Sequence, residues 1–145
     1  MRYRRLTSTE LEALQGDFVQ FLAESSIPAD EWLRWQVEAP ERMETVLDAF
    51  SEAFWERACS RITHLKRDAG DAVWWFEFGE TEALAFCIPG EVNERPGGAQ
   101  AYQAKRSYPV GLRNQAIFQL LEQSAVPCEP EAFAQVQSAL QNPIS

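Results

Sequence analysis

Apolar side chains recur along this chain at intervals of three and four, then of two, then of three and four again. Leu11, Leu14, Phe18, Phe21 and Leu22 line one face of a helix predicted to run to about Glu24, because residues three and four apart share a helical face. The start of that helix is well signalled: Thr7 can cap it, Glu10 can reach back from the third helical position, and Leu6 can staple onto Leu11. After a turn over Ser25–Asp30, the residues Trp32, Leu33 and Trp35 place a shorter helix over Asp30–Val37. It must stop before Pro40, since a proline disfavours helical geometry at the preceding Ala39. Met43, Val46, Leu47, Phe50 and Phe54 then mark a long helix from Pro40 to about Ile62.

The period changes after Lys66-Arg67 and the turn signal Asp68-Ala69-Gly70-Asp71. Ala72–Phe78 and Ala83–Ile88 read as the two strands of a hairpin. A three-residue loop, Glu80–Glu82, puts Trp74, Phe76 and Phe78 on a face with Leu84, Phe86 and Ile88, and leaves Trp75 and Glu77 beside Ala85 and Cys87. An even-numbered loop reverses that matching. Pro89–Gly98 reads as a loop and Gln100–Tyr108 as a third strand. Leu112, Ala116, Ile117, Leu120 and Leu121 predict a further helix, and Phe133, Val136 and Leu140 a last one. The expected fold is α+β and mainly helical: a single domain over residues 1–145, with N-terminal and C-terminal helix pairs packed on a small antiparallel β-hairpin or three-stranded sheet.

The window Val19–Pro28 returns 99 positions later at Phe118–Pro127, with four identities in ten: Gln20/Gln119, Leu22/Leu121, Ser25/Ser124 and Pro28/Pro127. Each copy predicts a helix, a turn and a second helix. Neither second helix is basic, which argues against the DNA-reading version of that motif.

Composition narrows the function classes. At 145 residues with 46% apolar side chains, among them five Trp, nine Phe and three Tyr, the chain can bury a real core. A formal charge of −9 argues against general nucleic-acid affinity. The charge is uneven: Ser8–Arg57 holds twelve acids against three bases, whereas Arg95–Leu121 holds four bases and no acid, and Arg2, Arg4 and Arg5 add a second basic spot. These basic segments are expected to lie against the acidic helices; the sharper reading is a small anion site. Cys59, Cys87 and Cys128 are scattered and odd in number, and the N-terminal stretch is charged, which predicts a reduced, cytoplasmic setting. No apolar run approaches the roughly 18 residues of a membrane span.

The chain resembles a family of small uncharacterised bacterial proteins known as a domain of unknown function. The likeness rests on Met1–Thr7 followed by Glu10-Leu11-Glu12, on Phe18–Ala23, on Ala29–Trp32, and on Ala116–Glu122. It is strongest over residues 1–35 and 110–125, and the middle with its doubled Trp departs from it. The resemblance implies a bacterial cytosolic protein with no assigned activity, and draws attention to Arg2, Arg4 and Arg5.

Reaction chemistry is thinly represented. His64 is the single histidine, five residues after Cys59, a poor shared helical face, while Cys87 reads as a small apolar strand residue. His64 itself is expected near a helix C-terminus, as a favourable partner of the helix dipole. No Cys/His spacing suits zinc, and Glu77, Glu80, Glu82, Glu91 and Glu94 read as a solvated edge, so no metal and no cofactor is expected. The aromatics carry the remaining lead. Strand alternation sends Trp74 and Trp75 to opposite faces, and one helical layer shelters one face, so one indole should stand exposed with Glu77 beside it. The leading expectation is therefore a non-enzymatic interaction or scaffold protein, possible as a homodimer, binding a protein partner through Trp74, Trp75 and Glu77. The alternative is a binder of, or enzyme on, a small anionic ligand, using Arg95, Tyr102, Lys105, Arg106, Tyr108 and Arg113.

Overall fold

The computed structural model describes residues 2–89, 102–109 and 111–141, with the backbone alone for 89, 102, 140 and 141. Its contacts divide the chain into two compact units, Met1–Arg57 and Ala58–Ser145. The fold is α+β and mainly helical, with six helices and one five-stranded antiparallel sheet among the described residues. No described helix is long and apolar enough to cross a membrane.

The first unit is helical. Helix α1 (Ser8–Ala13) opens on the expected capping box: the Thr7 hydroxyl accepts from the Glu10 N–H at 3.2 Å and the Glu10 carboxylate accepts from the Thr7 N–H at 2.8 Å. The expected single helix to Glu24 is broken at Leu14, whose φ of −104° and ψ of 21° leave the helical region, and α2 (Gln15–Glu24) restarts after it. Helix α3 spans Ala29–Glu38 and α4 spans Pro40–Arg61, with Pro40 at the first helical position, where its missing N–H costs nothing. Phe18 of α2 joins them by edge-on contacts with Trp32 of α3 at 5.1 Å and Phe50 of α4 at 5.0 Å. Aromatic pairs of this kind contribute about 0.5–1.5 kcal/mol each beyond area burial.

The second unit is built on the sheet, in the order β4-β3-β2-β1-β5. The strands are β1 (His64–Asp68), β2 (Ala72–Phe78), β3 (Glu82–Pro89), β4 (Tyr102–Ser107) and the two-residue β5 (Val126–Pro127), and α5 (Arg113–Glu122) and α6 (Pro130–Gln141) complete it. The turn signal at Asp68–Asp71 closes a hairpin between β1 and β2: Ala69 N–H donates to Ala72 O, and Gly70 supplies a φ of +89°. The expected three-stranded sheet gains β1 and β5.

The pairing of β2 with β3 sets Trp75 opposite Phe86 and Phe78 opposite Ala83. Four residues, Gly79 to Glu82, lie between that last pair, with Gly79 N–H donating to Glu82 O at 2.8 Å. The loop is even-numbered, so the three-residue reading is corrected. Val73, Trp75 and Glu77 share the first face with Ile88, Phe86 and Leu84, while Trp74, Phe76 and Phe78 share the second with Cys87, Ala85 and Ala83.

The two copies of the repeat end their helices with the same device. Ile27 N–H donates to Leu22 O and Ser26 N–H to Ala23 O; Ala125 N–H donates to Leu120 O and Ser124 N–H to Leu121 O. Ser26 at φ 59° and Ser124 at φ 73° occupy the left-handed position of a Schellman motif. The structural correspondence is Ser26 with Ser124, one residue out of step with the sequence match of Ser25 to Ser124. The exits differ as well: Pro28 leads straight into α3, whereas Pro127 pairs in β5 before α6 begins.

Candidate functional site

The expected aromatic anchor is placed first. Val73, Trp75, Phe86 and Ile88 on the first face form one buried cluster with Phe133 of α6, and Trp75 is 8% exposed. On the second face, α5 is tied down at both ends. Arg113 at its start donates through Nε to Gly79 O at 3.1 Å, and Gln123 O at its end accepts from Arg67 Nε at 3.0 Å. Arg67 lies opposite Trp74 and so shares its face. Helix α6 packs on the first face, and α5 is joined at its two ends to Arg67 of the second face and to the Gly79 turn. Trp75 is buried, Trp74 is half-buried and stacked on Phe76 at 6.2 Å, and Glu77 is held by His64.

Of the described candidate anion ligands, Tyr108 and Arg113 meet at the Gly79 carbonyl, while Lys105 and Arg106 part. Lys105 pairs opposite Leu84 and Arg106 opposite Ala83, so the edge strand β4 sends them to opposite faces. Lys105 lies 3.5 Å from Glu82. Arg113 is committed to main-chain carbonyls, with its guanidinium donating to Cys59 O at 3.2 Å and Ile62 O at 2.6 Å, which satisfies the C-terminal turn of α4. The Tyr108 hydroxyl donates into the same β2–β3 turn, at Gly79 O and Glu82 O, and burial pushes its pKa up. Arg95 lies outside the described residues, as does the side chain of Tyr102, whose backbone pairs with Cys87.

His64 begins β1 instead of ending a helix. One ring nitrogen contacts the Glu77 carboxylate at 3.1 Å and the other the Thr63 hydroxyl at 2.8 Å. Cys87, opposite Trp74, is on the other face from His64, and Cys59 is fully buried. Cys128 approaches instead, its N–H donating to His64 O at 3.0 Å, but burial raises its thiol pKa, the reverse of what an activated nucleophile needs. Among the described residues no cluster of His, Cys, Asp and Glu could hold a metal ion.

The densest polar arrangement is in the first unit, between the opening segment and α4. Glu44, Asp48, Glu52 and Glu56 recur at every fourth residue of α4, a spacing at which like charges repel by about 0.2–0.5 kcal/mol per pair in an isolated helix. The segment Arg2–Leu6 is laid antiparallel along them. Arg2 Nε is 3.5 Å from Glu52, the Tyr3 N–H donates to Glu52 at 2.9 Å, and the Tyr3 hydroxyl donates to Glu56. Arg5 Nε donates to Asp48 at 2.7 Å, which lowers the Asp48 pKa and raises that of Arg5. Main-chain groups are bonded too. Leu6 N–H donates at 2.9 Å to the Ser51 hydroxyl, which is fully buried and itself donates to Leu47 O, and the Trp55 indole donates to Arg4 O at 3.0 Å. Arg4 sits over the Trp55 ring at 4.9 Å and grips Glu10 with two bonds, of 2.7 and 3.0 Å. That grip, with the Thr7 N–H, holds the Glu10 carboxyl down to about 2. Sequence alone brought out these arginines and a neutralising contact; the reading of their main chain by Ser51, Glu52 and Trp55 was missed.

Helix α3 carries an exposed apolar pair, apart from the single exposed apolar residues Val19, Leu112 and Val126. On α3, Trp32 and Trp35 are half-buried against Phe18 and Arg42, whereas Leu33 is 62% and Val37 84% exposed, four residues apart on the same side.

A family model described as a family of unknown function (DUF6495) matches residues 1–96. The match takes in the opening segment, α1 to α4 and the first three strands, including the doubled Trp, and ends before the late helix Ala116–Glu122. No match to the chain is found among curated proteins or among solved structures.

Proposed function

Because the chain belongs to the family of unknown function DUF6495, whose description assigns no activity, we propose from the geometry that it is a non-enzymatic interaction protein of the bacterial cytoplasm. In this reading it holds an apolar, basic-flanked helix of a protein partner on the outer side of α3. The carrying observation is the exposed pair Leu33 and Val37, set at helical spacing among Asp30, Glu31 and Glu38, with Arg34 3.8 Å from Glu38. An apolar pair four residues apart matches the anchors of helix-in-groove recognition, and the acidic surround favours basic flanks on the partner. A second copy of α3 would bring the same acids together, which weighs against self-association through this face.

Support also comes from how the chemistry-bearing side chains are used. His64 with Glu77, Arg113 with helix-end carbonyls, and Lys105 with Glu82 are each engaged within the chain. The three cysteines are free thiols, as a reducing compartment would keep them.

The test is the double variant Leu33→Asp/Val37→Asp. Both side chains are exposed, so each change should alter the unfolding free energy by no more than about 0.5 kcal/mol. A photo-crosslinker placed at Gln36 in host cells should trap a defined protein in the parent and in a Gln103→Asp control, and lose it in the double variant. Equal trapping in all three would dismiss α3 as the recognition surface.

A further inference from the structure

Thr63, His64 and Glu77 form one hydrogen-bonded line where α4 gives way to the sheet. The Thr63 hydroxyl lies 2.8 Å from His64 Nδ1, and His64 Nε2 lies 3.1 Å from the Glu77 carboxylate. An ionised carboxylate only accepts, so Glu77 draws the ring proton to Nε2 and leaves the Nδ1 lone pair facing the Thr63 hydroxyl. Hydroxyl, imidazole and carboxylate in this order are the parts that make an alcohol a nucleophile, and they are recognised by geometry and not by chain order. The His64 side chain is 11% exposed and its ring meets Phe133 at 5.2 Å, which steadies it. Thr63 itself is exposed and open to a reagent.

The surroundings suit the charge that develops on an attacked carbonyl. Thr63 follows the C-terminal end of α4, whose free carbonyls repel an oxyanion. Arg113 counters them, its guanidinium donating to Cys59 O at 3.2 Å and to Ile62 O at 2.6 Å. The second bond polarises the Ile62–Thr63 peptide, whose N–H makes no hydrogen bond among the described residues. We propose that Thr63 is a covalent modification site that takes one acyl group from a small activated ester or thioester. His64 is the base, Glu77 the positioning residue that fixes its tautomer, and the Thr63 N–H the donor to the oxyanion. In the step, the hydroxyl proton passes to His64 Nδ1 while Thr63 Oγ1 bonds to the acyl carbon. The bond from that carbon to the leaving oxygen or sulfur then breaks, and the leaving group takes the proton from His64. One ester forms per chain, so the inference adds to the α3 reading and does not depend on it.

The experiment treats the full chain with 4-nitrophenyl acetate, quenches samples in acid at intervals and maps the acetyl groups by mass spectrometry. Thr63 should be acetylated at least tenfold faster than Thr81, an exposed threonine of the β2–β3 turn. Thr63→Ser should keep labelling at that position, and His64→Gln should slow it at least tenfold. If His64→Gln does not fold, Glu77→Gln, at a half-exposed position, takes its place. In Glu77→Gln the Nε2–H tautomer of His64, the single imidazole, should fall in nitrogen NMR together with the labelling rate, a change that lost packing alone does not produce. Labelling of Thr63 no faster than that of Thr81 would overturn the proposal. So would labelling that is equally fast in a folded His64→Gln or Glu77→Gln chain, which would leave the three groups as a structural hydrogen-bond line.

Discussion

The ammonium of Lys66 lies 5.0 Å from the centre of the Trp75 ring, directly across the ladder between β1 and β2. The ring is packed beneath α6, and its indole Nε1–H is buried with no hydrogen-bond partner among the described residues. A buried donor left unpaired costs about 1–3 kcal/mol, while the ring's packing and the cation above it act in the opposite direction.

Three substitutions separate these effects. Trp75→Ala should lose about 3–5 kcal/mol of stability by urea unfolding, as for a large core residue. Trp75→Phe keeps an aromatic ring and deletes the unpaired donor, so it should fall within about 1 kcal/mol of the parent. Lys66→Met keeps the apolar stem and should lose about 0.5–1 kcal/mol. If Trp75→Phe proved as damaging as Trp75→Ala, the indole N–H would have to be satisfied in solution.

Ser26 and Ser124 adopt left-handed backbone geometry, which carries a penalty of about 1 kcal/mol for a residue with a Cβ. Glycine relieves it, at the cost of a freer unfolded chain. Ser26→Gly and Ser124→Gly should each gain about 0.5 kcal/mol, and Ser26→Val should lose more than about 1 kcal/mol. Thermal melts of the three variants check the ordering. A Ser26→Val chain as stable as Ser26→Gly would mean that the turn is not held in this form.

These turns show what the sequence made legible. Helical spacing located α3 and α4 to within a residue or two because Phe18, Trp32 and Phe50 must meet on inward faces, whereas the break at Leu14 that separates α1 from α2 had no signal in it. Strand β1 escaped because His64, Lys66, Arg67 and Asp68 leave a single apolar residue, Leu65; the aliphatic stem of Lys66 supplies the cover that a hydrophobic side chain would. The hairpin register hung on the parity of one loop, and composition does not set that parity. The repeat was read as Ser25 with Ser124, since identity in sequence says nothing of which serine takes the positive φ. At α4, the fourfold acid spacing and the opening arginines were both visible, but a hydroxyl such as Ser51 gives no signal that it will bind main chain.

Cys128 combines partial exposure with a thiol pKa raised by burial above its usual value of 9.0, even with Lys66 nearby. Thiolate is the reacting form. At neutral pH the native chain should therefore react with a small disulfide reagent more slowly than a free thiol does, with a rate that rises past pH 9. Cys59 and Cys87, both buried, should stay protected until unfolding. Rapid labelling of Cys128 at pH 7, followed by mass mapping, would contradict this ordering.

Acid should unfasten the opening of the first unit. Glu10 has a folded-state pKa of about 2 against an ordinary 4.5, with Arg4 as the leading cause, so its carboxylate form stabilises the fold. That contribution is complete above pH 4.5 and is lost as the pH falls from there toward 2. Asp48, lowered by Arg5, acts in the same direction. In Glu10→Gln the amide can still accept from Thr7 N–H as a capping-box partner, but it carries no charge for Arg4. The variant should be less stable than the parent at pH 7, and the gap should close as acid protonates Glu10 in the parent. Urea unfolding at pH 7, 5, 4 and 3 measures the gap directly. A difference that stayed constant across that range would detach Glu10 from the Arg4 contact and place its role in the cap alone.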